Sequence, residues 1–214
     1  MNKFRIRYSK TGTAKYISNL DLMALFHRAF IRAGIKLKYS EGFNPHPYLS
    51  VALPLPVGCA SLCELMDAGI VDDIVPDIID MKLPEGIIVN NAYYPVRKFN
   101  NITWVEINCN LHYEKHINND IIEKLKHSFS KDSIKIQKRT KRSIKELDIA
   151  PFVRDMEFYA DKSKSIVTMK AKISAQEPTL NVDDLLKVFD NDLLPVQTDM
   201  KRIEIYDSNM VSFN

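Results

Sequence analysis

The residues best equipped for chemistry lie in one run, Tyr39-Ser-Glu-Gly-Phe-Asn-Pro-His-Pro-Tyr48. Its histidine, His46, has the side chain suited to work as an acid, a base, a metal ligand or a stacking platform. Gly42 admits backbone angles that other residues avoid. Pro45 and Pro47 fix their own backbone and bias Asn44 and His46 toward extended conformations. The run is therefore expected to be a stiff loop that presents Tyr39, Ser40, Glu41, Phe43, Asn44 and His46. Loops of this kind, held by a scaffold, are where function concentrates. The plainer expectation is a packed loop in which His46 only bonds a backbone carbonyl.

Two groups of cations could accompany it. Arg28 and Arg32 are four residues apart and share a helix face, with His27 beside them. Arg5 and Arg7 alternate on a strand and project to one side, followed by Lys10 and Lys15. If strand and helix pack together, these groups would line one rim with the loop. The second group is a run from Lys131 to Lys145. It carries seven Lys and Arg, among them Lys138, Arg139, Lys141 and Arg142, against the single acid Asp132. Such clusters supply the sequence-independent part of nucleic-acid binding. The alternative is a solvated hairpin whose lysines protect an edge strand from aggregation.

Other chemistry is poorly supported. His112 and His116 have helical ligand spacing, but the first is expected on a strand and the second in a loop. Cys59 and Cys63 are separated by three residues with only Cys109 besides, too few for an iron–sulfur cluster. The odd cysteine count argues against a disulfide framework. With six glycines there is no phosphate-binding loop or dinucleotide fingerprint. No cofactor or metal is expected. No long apolar run resembles a membrane span, and the first residues lack the apolar core of a signal peptide, so a cytoplasmic location is the expectation. The net charge of +3 over 214 residues permits an anionic partner without demanding one.

The elements that must position these residues follow from periodicity. Phe4 to Tyr8 alternates as a strand. Ser18-Asn-Leu-Asp21 fits a capping box, and Leu22, Leu25, Phe26, Ala29 and Ala33 recur at helical spacing until Gly34. Leu49 to Pro56 and Leu62 to Val71 read as strands around a turn at 58–61. Asp72 to Met81 reads as a helix and Ile87 to Tyr94 as a strand. Strand, helix, strand, strand, helix, strand is the split βαβ, or ferredoxin-like, arrangement. The second half roughly repeats it. Strands are expected at Thr103–Tyr113, Ile134–Thr140, Met156–Ala160, Ile166–Ile173 and Met200–Tyr206. Helices are expected over Asp120–Phe129, capped by Asn118, and over Val182–Phe189, capped by Asn181, with an additional segment near Lys141–Val153. The fold class expected is α+β, as tandem ferredoxin-like halves with antiparallel sheets, residues 1–97 and 102–214.

Tyr16-Ile-Ser-Asn-Leu-Asp-Leu-Met23, the helix running to Arg-Ala-Gly34, the Tyr39–Pro47 run, and Leu53-Pro-Leu-Pro-Val-Gly58 together resemble the radical SAM-linked protein family of bacteria. The likeness is densest over Phe4–Gly58 and continues through Lys138-Arg-Thr-Lys-Arg142 and Leu147-Asp-Ile-Ala-Pro-Phe152. It departs from the commoner pattern at Asn19 and Ala150. The resemblance implies an accessory protein that works beside a radical SAM enzyme, in an RNA-related role. The radical chemistry would belong to the partner, since this chain lacks three closely spaced cysteines. The expected function is a non-catalytic RNA-binding module, with Tyr39, Phe43 and Tyr48 stacking on bases and arginines or lysines holding phosphates. Two other readings stand beside it. One is a metal-independent RNA endonuclease with His46 as acid or base, assisted by Tyr39 or Lys10. The other is a protein–protein adaptor docking through Leu53–Val57.

Overall fold

The computed structural model describes residues 2–71, 81–114, 116–139, 143–161, 163 and 165–213. The chain divides into two units, Met1–Asn101 and Ile102–Phe213. Both combine antiparallel sheet with few helices.

In the first unit, β1 (Lys3–Lys10) leads through a short 3-10 turn to α1 (Asn19–Arg32). Strands β2 (Leu49–Val51), β3 (Ala60–Gly69) and β4 (Ile87–Tyr93) follow. β1 pairs antiparallel with both β3 and β4, and β2 pairs antiparallel with β3. The first strand therefore lies centrally and the second lies beyond the third.

The alternation of β1 decides its two faces. Phe4, Ile6 and Tyr8 are buried against Leu22, Phe26 and Phe30 of α1, with Met66 and Ala68 of β3 in the same core. Tyr8 meets Phe26 edge-on at 4.9 Å and Phe4 meets Phe30 edge-on at 5.6 Å, the favoured geometry for aromatic quadrupoles. Ser18 caps the helix, but as a side-chain pair with Asp21 rather than the full reciprocal box. The Asp21 backbone N–H donates to Ser18 Oγ at 3.2 Å, and that hydroxyl donates to Asp21 Oδ2 at 2.7 Å. Gly34, with φ of 75°, follows the helix, which ends at its Ala33 C-cap.

The second unit holds β5 (Trp104–His112), α2 (Asn119–Ser128), β6 (Lys135–Arg139) and β7 (Ile144–Asp148). It continues with β8 (Val153–Asp161), β9 (Ile166–Ser174), α3 (Val182–Leu186) and β10 (Gln197–Tyr206). Its main sheet runs β10-β5-β9-β8, antiparallel throughout. β6 and β7 form a separate antiparallel pair inserted between α2 and β8. Counting only the main strands, both units read fourth, first, third, second.

Several expected boundaries move. The strand expected over Leu49–Pro56 covers only Leu49–Val51, because Pro54 and Pro56 lack the N–H a ladder needs. β3 starts at Ala60, inside the expected turn, and α3 stops at Leu186. The additional segment near Lys141–Val153 contains β7, the partner of β6. The helix expected over Asp72–Met81 falls on residues 72–80, outside the described residues. Among the described residues no helix is long and apolar enough to cross a membrane.

Candidate nucleic-acid interface

The loop after α1 is closed by its own backbone. Tyr39 and Pro47 form an antiparallel bridge. The Ser40 N–H donates to the His46 carbonyl at 2.8 Å, and the His46 N–H donates to Ser40 Oγ at 2.9 Å. One step further down, the Tyr48 N–H donates to the Lys38 carbonyl at 2.9 Å. Gly42 sits at the turn with φ of 120°, a conformation that disfavours any side chain. These links leave Glu41, Phe43, Asn44 and His46 exposed. Phe43 is 108% exposed, more open than a phenylalanine in an extended reference peptide.

Helix α1 anchors the loop. His27 Nε2 and the Tyr39 hydroxyl share a hydrogen bond of 2.7 Å, and their rings meet edge-on at 5.8 Å. The neighbouring Arg28 and Arg32 are exposed, and Arg32 Nη2 donates weakly to the Lys82 carbonyl at 3.4 Å. Lys36 and Lys38 flank the buried Leu37 at the start of the loop, the first exposed and the second half-buried. Neither lysine is among the cations expected from the sequence. The signal for them is the Lys-Leu-Lys alternation, which sends both away from the core once Leu37 is buried. Arg28, Arg32, Lys36 and Lys38 therefore lie on the helix and the segment that lead into the loop.

Other expected cations turn inward. Arg5 is 1% exposed, so it is no part of an open rim. Its Nε and Nη2 donate to the two carboxylate oxygens of Asp67, at 2.6 and 3.1 Å, and Nη1 donates to the Arg97 carbonyl at 2.9 Å. The guanidinium also covers the Phe99 ring at 4.2 Å. This is a bidentate pair that satisfies a buried charge. Arg7, on the same face of β1, is half-buried. Lys10 is also buried, and its Nζ donates to the Ile17 carbonyl at 2.6 Å. Burial pushes the Lys10 ammonium below its usual 10.5, against the opposing pull of Glu64 and Cys59. The assistance to His46 expected of Lys10 has no open ammonium to draw on.

The basic run divides in the same way. On β6, Ile136 is buried while Lys135, Gln137 and Arg139 are exposed, as strand alternation requires. Lys135 pairs with Glu146 of β7 at 2.9 Å. Lys138 donates to the buried carboxylate of Asp184 and, at 2.7 Å, to the Thr179 carbonyl. Lys187 holds the other oxygen of Asp184 at 2.9 Å. Burial pushes the Asp184 carboxyl up, but its bonds to Lys138 and Lys187 outweigh that and hold it below the usual 3.8. Lys138 is thus a tether between the inserted hairpin and α3. Arg139 remains exposed, and Lys141 and Arg142 lie outside the described residues.

The remaining candidates are placed elsewhere. His112 Nε2 lies 3.0 Å from Asp199 Oδ2, and Cys63 and Cys109 are buried. Among the described residues no group of three or more His, Cys, Asp and Glu is arranged to hold a metal ion.

The class defined by this geometry is an α+β protein of two antiparallel-sheet units that carries an exposed loop closed by its own hydrogen bonds. The profile of a family described as "Uncharacterized protein conserved in bacteria (DUF2344)" matches residues 3–182, and the chain belongs to that family. No curated protein matches it. Among solved structures it is similar to a chain in the "Crystal Structure of a Cbf5-Nop10-Gar1 Complex", with a TM-score of 0.54 and 10% identity. The match covers 94% of this chain and 48% of that one, so the chain spans about half the length of its structural relative. At that identity the likeness is one of fold.

Proposed function

We propose that this protein is a non-catalytic RNA-binding accessory of a radical SAM enzyme, built from two ferredoxin-like halves. The strand order of both units supports the second part of the reading. The resemblance over Phe4–Gly58 supports the partner. One observation carries RNA binding. A loop closed by its own hydrogen bonds displays Asn44 and His46, and exposed Arg28, Arg32 and Lys36 stand on the elements that anchor it. Cations that track phosphates beside side chains that read bases are what recognition of unpaired RNA requires.

The test is a binding titration with RNA at rising salt. Affinity should fall steeply with salt, and replacing Arg28 and Arg32 by glutamine should reduce the log–log slope by about one for each phosphate no longer neutralised. Absence of RNA affinity at low salt, with and without the companion enzyme, would sink the proposal. His46→Ala separates it from an endonuclease. A binding loop loses affinity modestly, whereas a nuclease loses cleavage while still binding.

A further inference from the structure

We infer that Phe43 is a stacking residue for one unpaired nucleotide, so that the RNA recognised is single-stranded or looped rather than duplex. The inference rests on the RNA-binding reading above and names the substrate class of that same site. Three aromatics of the loop are candidates for stacking, and the structure separates them. Tyr39 is occupied, because its hydroxyl is bonded to His27 and its ring packs edge-on against the same imidazole. Tyr48 sits at the loop's base rather than its tip, its backbone N–H donating to the Lys38 carbonyl and its carbonyl accepting from the Gly69 N–H at 2.8 Å, with its ring 43% exposed. Of the three, Phe43 stands at the tip with its ring fully open.

The loop's base also fixes where the tip is presented. The Tyr39–Pro47 bridge and the paired Ser40–His46 bonds close the turn directly beneath it. A duplex hides the faces of its bases within the stack, so a ring offered at a loop tip finds a π-face only where a base is unstacked. The groups flanking Phe43 suit that partner. Asn44 carries both amide donors and a carbonyl acceptor, and His46 adds ring nitrogens, so both can meet the edges of a splayed base. The nearby charges favour a phosphate backbone, with Arg28, Arg32, Lys36 and Lys38 on the anchoring segments against Glu41 in the loop.

The experiment titrates the full chain into a single-stranded oligoribonucleotide carrying a fluorescent adenine analogue, and into the matching duplex. The single strand should bind more tightly, with the fluorescence change that stacking produces. Phe43→Ala should cost about ten-fold in single-strand affinity and remove that change. Phe43→Trp should restore both, and its exposed indole should be quenched by RNA, distinct from the buried Trp104. Unchanged affinity and fluorescence in Phe43→Ala overturn the inference. If the Arg28→Gln, Arg32→Gln double variant still loses affinity in that case, RNA binding stands and only the stacking role falls. No binding of either RNA at low salt removes the RNA reading itself. Loss of binding to the companion enzyme in Phe43→Ala, with RNA affinity unchanged, assigns the ring to a protein surface and overturns the inference.

Discussion

The loop at the end of α1 and the basic run on the inserted hairpin look alike as cation-rich sequence, yet two cations of the second are committed to the fold's own carboxylates. Around the loop, Arg28, Arg32 and Lys36 stay exposed. In the hairpin, Lys138 is committed to Asp184 and Lys135 to Glu146. The contrast also runs through the first unit, where Arg5 is buried against Asp67 while Arg28 faces solvent. A cation lends itself to a ligand only after the fold's own carboxylates have been served. Local charge density therefore overstates the second region at Lys135 and Lys138, while Lys131, Arg139 and Lys145 stay exposed there.

The largest expected effect lies on the inward side. Asp67→Ala leaves the buried Arg5 guanidinium without its carboxylate and should cost about 3–5 kcal/mol of stability, measured by urea unfolding. A cost below about 1 kcal/mol would mean that Arg5 escapes to solvent and joins the outward group. Lys138→Met should cost less, about 1–3 kcal/mol, because Lys187 still holds Asp184. Its RNA affinity should stay within about two-fold of wild type, since removing a lysine that held a phosphate would weaken binding more than that at low salt. The Arg28→Gln, Arg32→Gln variant should show the reverse pattern. Its stability should change by less than about 0.5 kcal/mol while its RNA affinity falls. A pair of variants with equal effects on both readouts would erase the distinction between the two regions.

The smallest effect is a pH dependence. Asp184 has its folded pKa lowered, so its contribution is complete above the ordinary value of 3.8 and is lost as pH falls through the lower folded value. Wild type should lose stability in that acid window. Lys138→Met should lose less there, because its Asp184 has one fewer ammonium holding the charged form. Chemical unfolding at a series of acid pH values measures both slopes.

Much of the fold is legible because its signals are local. Ser18 with Asp21, and Asn118 and Asn181 before their helices, cap as their types suggest. The turn at the Tyr39–Tyr48 loop is also readable, from Gly42 and the two prolines. Strand β7 is not. Its residues Ile144, Lys145 and Glu146 are all exposed, so it lacks the alternation that marks a half-buried strand. It is a strand because β6 offers it a ladder, and because Asp148 accepts the N–H groups of Ile134 and Ala150 at 2.8 and 3.1 Å. The fates of Arg5 and Lys138 are equally hidden. Their partners lie 62 and 46 residues away, and no window of sequence joins them.

The Lys138–Asp184 tether has a consequence for how the second unit opens. An inserted two-stranded hairpin would ordinarily fray by itself, since a lone hairpin is marginal in water. Here β6 carries an ammonium fixed to the first turn of α3, which couples the two segments energetically. Amide hydrogen exchange should therefore find the hairpin and α3 behaving as one cooperative unit, with shared protection. Cutting the tether should let the hairpin exchange ahead of α3, turning one opening event into two.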